Sequence, residues 1–136
     1  MLTNILNQTI STLENLITIT LEDIENIKVA NHEKVFANTK KKECLAENFS
    51  QLKSEIDRIL ISRNKPIEEI FTPEEEVLFN TFREKLLEFN AQHKRFSKLA
   101  LSVANFYNTL FNKIHNNEII TYSNEPFKKS NLHLKA

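Results

Sequence analysis

The chain has 136 residues, with 18 Lys and Arg against 18 Asp and Glu, one cysteine, three prolines and no glycine or tryptophan. Its length suits one domain with one core, and its zero formal charge gives no global pull toward nucleic acid or an anionic membrane. Without glycine there is no phosphate-cradling loop, dinucleotide fingerprint, nucleophile elbow or EF-hand loop, and a multi-turn sheet is equally disfavoured.

The expected fold is therefore all-α: an antiparallel three-helix bundle, or coiled coil, over residues 1–116, with a long third helix and a flexible tail over 117–136. The first helix is expected over about 2–30. Leu6, Ile10, Leu13, Ile17, Leu21, Ile24 and Ile27 recur at steps of three and four, which is helical and not strand periodicity. Ile17-Thr18-Ile19-Thr20 is its weak point, because consecutive β-branched residues lower helix propensity. Packing along the stripe is expected to prevail there.

The second helix is expected over about 32–62, with Asn31 as its N-cap. No strong breaker decides between a kink and a full reversal at that step. Leu45, Phe49, Leu52, Ile56 and Ile59 form a coiled-coil seam. Extended backward, the seam reaches Val35 and then turns polar at Asn38 and Lys42, which predicts looser packing near the helix start. Residues 1–31 hold four acids and one base, and residues 32–65 hold five acids and eight bases. The opposite net charges, −3 and +3, favour an antiparallel pair modestly.

A connector containing Pro66 follows. Thr72-Pro73-Glu74-Glu75-Glu76 then stacks helix-start signals: Thr72 as cap, Pro73 at the first helical position, Glu75 completing a capping box, and three carboxylates at the positive end of the dipole. The third helix is expected over about 73–116. Phe82, Leu86, Phe89, His93, Phe96, Ala100, Val103, Tyr107, Leu110 and Ile114 alternate steps of four and three without a break. Such a helix is longer than its two partners, so residues 104–116 are expected to project beyond them. That stretch carries Phe106, Tyr107, Leu110, Phe111 and Ile114, and an apolar stripe left over in this way marks an interface. Ile119, Ile120, Tyr122 and Phe127 in the tail are expected to join it.

No residue pattern points to catalysis. None of His32, His93, His115 and His133 has a second histidine three to five residues away, and a single cysteine supports neither a disulfide nor a thiolate zinc site. His93 reads as a histidine on the packing seam, Glu74–Glu76 as capping and dipole carboxylates, Lys40–Lys42 as a solvated basic face, and Cys44 as an ordinary thiol. The expectation is a non-enzyme with no cofactor and no metal. No stretch is a secretory signal or a membrane span, so a soluble cytoplasmic protein is expected.

The helix pattern resembles the FlgN-type flagellar export chaperones. LENLITITLEDIENI is followed by the polar step Ala30-Asn31-His32 and by VFANTKKKECLAENFSQLKSEI, where Lys42 and Leu45 stand at the family's lysine–leucine feature. Thr121-Tyr122-Ser123 resembles its tyrosine-bearing tail. The resemblance implies a cytoplasmic helical bundle that binds the C-terminal amphipathic helices of hook-associated junction proteins, keeps them soluble, and delivers them to the flagellar type III export apparatus. It further implies a monomer or weak homodimer, no nucleic-acid partner and no membrane insertion. The alternative from the residues themselves is a non-catalytic scaffold or homodimerising coiled coil without an export client.

Overall fold

A computed structural model describes residues 1–118. Three long helices carry nearly all of this stretch: α1 (Leu2–Lys28), α2 (His32–Arg63) and α3 (Pro73–Glu118). A short 3₁₀ turn, Ile67–Glu69, lies in the connector between α2 and α3. There is no strand among the described residues.

The chain divides into two units, Met1–Lys94 and Arg95–Ala136. The first holds the core. Leu2, Leu6, Leu13 and Leu16 of α1 cluster with Ile56 of α2 and Phe82 of α3, and Leu45, Phe49, Ile59, Phe71, Phe79, Leu86 and Phe89 pack around them. Phe71, Phe79, Phe82 and Phe49 form a run of ring contacts with centroid separations of 4.7, 5.6 and 6.2 Å, joining connector, α3 and α2.

The buried line of α1 differs from the expected one. Leu2, Leu6, Thr9, Leu13, Leu16, Thr20, Asp23 and Ile27 are all buried, at alternating steps of four and three. Leu21, expected inside, is 39% exposed, and Ile10 is only half-buried. A count of apolar residues passes over threonine. In a helix, however, a threonine hydroxyl can satisfy itself on the carbonyl one turn back, leaving its methyl to pack. Thr9 donates to the Ile5 carbonyl and Thr20 to the Leu16 carbonyl, both at 2.7 Å. The β-branched run stays helical, as expected, and Thr18 makes the same bond to Glu14 at 3.0 Å.

Between α1 and α2 the chain reverses fully. The Asn31 N–H donates to the Asn26 carbonyl at 2.7 Å and the Ala30 N–H to the Ile27 carbonyl at 3.0 Å, the bond pair of a Schellman motif. Ala30 takes the left-handed position at φ 60°, where glycine is usual. Asn31 then caps α2, its side chain accepting from the Lys34 N–H at 3.4 Å. Because Thr12 meets Asn48 and Asp23 meets Lys42, α1 and α2 run in opposite directions. A second left-handed residue, Asn64 at φ 49°, closes α2. Asparagine tolerates this region better than most residues.

The start of α3 is built as the residues predict. The Glu75 N–H donates to Thr72 Oγ1 at 3.2 Å, and the Thr72 N–H donates to Glu75 Oε1 at 3.0 Å, completing the capping box. Arg63, the last residue of α2, adds a two-pronged pair to Glu75 at 2.5 and 2.7 Å and a third bond to the Ile70 carbonyl at 2.7 Å. The end of one helix is thus pinned to the start of the next.

Candidate partner-binding surface

The second unit contains the C-terminal part of α3. No glycine or proline interrupts it, so the helix continues without a breaker. Phe106, Tyr107, Leu110, Phe111 and Ile114 stand at offsets of 0, 1, 4, 5 and 8 residues, which places them on one side of the helix. All five are exposed, from 44% at Leu110 to 62% at Phe106. The Phe106 and Tyr107 rings meet edge to face, with centroids 5.6 Å apart.

Exposure alone does not distinguish these residues. Phe36, Ile61, Val77 and Leu87 are at least as exposed. Those lie ten or more residues apart in sequence, and isolated exposed apolar side chains are ordinary on protein surfaces. Five large apolar side chains within nine residues on one helix face are not. The other four expected contact residues, Ile119, Ile120, Tyr122 and Phe127, lie outside the described residues.

The other singled-out residues lie elsewhere in the fold. His93 is exposed and stacks on Phe89, with centroids 5.6 Å apart. Cys44 is a free, exposed thiol. It borders a shallow open depression between α1 and α2, together with Ile19, Leu45, Lys40 and Lys41. Glu75 is buried in its cap, held by Arg63 and the Thr72 N–H, and these contacts bring its carboxyl down to about 2 against the opposing effect of burial. No group of three or more His, Cys, Asp or Glu among the described residues is placed to hold a metal ion. No helix among them is long and apolar enough to cross a membrane.

One expectation about α2 changes. Lys40 and Lys41 are exposed, but Lys42 is half-buried and does not belong to a solvated face. Its Nζ lies 2.9 Å from Asp23 Oδ2, and Asn38 Nδ2 donates to Asp23 Oδ1, also at 2.9 Å. The polar part of the seam is therefore a linked cluster around a fully buried carboxylate, set in a stretch of α2 whose other described residues up to Gln51 are exposed or half-buried. Sequence reasoning missed Asp23. The available signal was its position four residues before Ile27 and three after Thr20, on the same four-three line as the leucines.

No family model matches the chain, and neither does any curated protein or solved structure.

Proposed function

We propose that this chain is a cytoplasmic export chaperone, a three-helix antiparallel bundle whose apolar stripe on the C-terminal part of α3 binds amphipathic C-terminal helices of flagellar hook-associated junction proteins. It keeps those clients soluble and hands them to the flagellar type III export apparatus. The observation that carries this reading is the run of exposed apolar side chains Phe106, Tyr107, Leu110, Phe111 and Ile114. Support also comes from the resemblance in helix pattern. An amphipathic helix laid on such a stripe buries its own apolar face and needs no catalytic group or cofactor. Ile119, Ile120, Tyr122 and Phe127 are proposed as further contacts of the same client.

Calorimetry with C-terminal peptides of hook-associated junction proteins tests the reading. Wild-type protein is expected to bind at least one such peptide. The double variant Phe106→Ser/Phe111→Ser is expected to bind about tenfold or more weaker, because each large apolar side chain contributes about 1.5–3 kcal/mol when buried and about 1.4 kcal/mol is a factor of ten. Helix content is expected to stay nearly unchanged, since both side chains are already exposed. Unchanged affinity in the double variant removes this stripe as the site. No binding by wild type to any such peptide removes the chaperone reading.

A further inference from the structure

The balanced charge of the whole chain hides a sharp local asymmetry. Between Arg95 and Asn117 there is no Asp or Glu, and the Lys and Arg residues are Arg95, Lys98 and Lys113, all exposed. Their placement on the helix is not random. Lys113 follows Phe106 by seven residues and Arg95 precedes it by eleven, so both fall on nearly the same line along the helix as Phe106. Lys98 lies one turn after Arg95. The three bases therefore run beside the Phe106 edge of the apolar stripe. The Phe111 edge carries the positions of Ala104, Asn108 and His115 instead, with no Lys or Arg.

We infer that the partner of this surface is an amphipathic helix whose apolar face is flanked by Asp or Glu along one edge, the edge that lies against Arg95, Lys98 and Lys113. This rests on the helix-binding reading above and adds the charge of the partner to it. Charge complementarity beside an apolar seam sets orientation and partner choice, as flanking charges do in coiled coils. A second copy of this chain docked through the same stretch, residues 95–117, does not supply it, because that stretch brings three more bases and no acid. An anionic membrane surface is served better by bases on both sides of the apolar face, and here one side is neutral.

Three synthetic helical peptides with one shared leucine face test the inference by calorimetry on the full chain. They differ only along one edge, which is all Glu, all Gln or all Lys. The Glu peptide is expected to bind about tenfold tighter than the Gln peptide at about 0.05 M salt, with most of that gap lost near 0.5 M as screening shortens the reach of charge. The Lys peptide is expected to bind weakest. The variant Arg95→Glu/Lys98→Glu/Lys113→Glu is expected to reverse the order, and Arg95→Gln/Lys98→Gln/Lys113→Gln to level it, with helix content checked by circular dichroism.

Equal affinity for the Glu and Gln peptides overturns the charge assignment and leaves apolar docking standing. Failure of all three peptides to bind overturns both. Tighter association with phosphatidylserine vesicles than with the Glu peptide, lost in the triple Gln variant, assigns the surface to a membrane and overturns the helix partner. A preference for the Glu peptide that survives both triple variants places the charge recognition elsewhere and also overturns the proposal.

Discussion

Asp23 has no exposed surface, yet it sits in the contact between α1 and α2 with Asn38 and Lys42 bonded to it. Burying a carboxylate is costly, and its partners offset that cost only as long as all of them remain. Lys42 is well placed to stay, because its side chain is 16% exposed and so not wholly withdrawn from water. Asp23→Ala leaves the Lys42 ammonium and the Asn38 amide without their shared acceptor, and is expected to destabilise by about 3 kcal/mol. Replacing all three polar groups, as Asp23→Leu/Asn38→Leu/Lys42→Met, is expected to be neutral or stabilising by up to about 4 kcal/mol, since a well-packed apolar contact carries no desolvation cost. Urea denaturation of the two variants separates the cases. A triple variant as unstable as Asp23→Ala shows that the cluster contributes net stability of its own. Ala30 is the opposite sort of residue, exposed and conformationally costly: a left-handed φ at a residue with a Cβ costs about 1–2 kcal/mol, and the two Schellman bonds and the Asn31 cap hold it there.

At the scale of the element, the junction of α2 and α3 concentrates the most bonds on the fewest residues. Glu75 accepts from Arg63 twice and from the Thr72 N–H, and its folded carboxyl titrates near 2 against an ordinary value of 4.5. A depressed folded pKa gives stability that is fully present above the unfolded value and is lost as pH falls toward the folded one. The window is therefore about pH 4.5 down to 2, and the contribution at neutral pH is at most about 3 kcal/mol. Glu75→Gln keeps an amide oxygen for the Thr72 N–H and loses the ion pair. Its stability deficit against wild type is expected at pH 7 and to have closed by about pH 2 in parallel urea titrations. A deficit that does not change across that window shows that the charge is not what Glu75 contributes. Thr72, Pro73 and Glu75 were legible as a helix start because capping is local chemistry between neighbours in sequence. Arg63 was not, because nothing in its neighbourhood says that the connector returns it to Glu75. The same division holds for α1: its helical character follows from its apolar spacing, while the buried roles of Thr9, Thr20 and Asp23 depend on hydroxyl back-bonding and on partners in α2. The reversal at Ala30 was hidden because the usual residue for that position, glycine, is absent.

At the scale of the whole molecule, the core and the proposed recognition surface fall on different stretches of chain. Among the described residues, every member of the buried core cluster, and every half-buried side chain packed against it, lies at or before Phe89. Among the described residues, the four ion pairs that cross between helices, Glu22 with Lys34, Asp23 with Lys42, Glu75 with Arg63 and Glu14 with Lys85, also lie within Met1–Lys94. The exposed stripe and its basic edge all lie from Arg95 onward. A chain ending at Lys94 therefore retains the core in full and discards the proposed binding surface in full. It is expected to unfold cooperatively with a denaturation midpoint close to that of the full chain, because the core cluster lies wholly within it and exposed side chains contribute little to stability. Junction-protein peptides bound by the full chain are expected to show no measurable binding to it. A large drop in the midpoint means that residues after Lys94 support the core. Retained peptide affinity in a stable fragment means that the partner docks on the first unit, where the exposed side chains of Phe36, Ile61, Val77 and Leu87 would be the next surfaces to substitute.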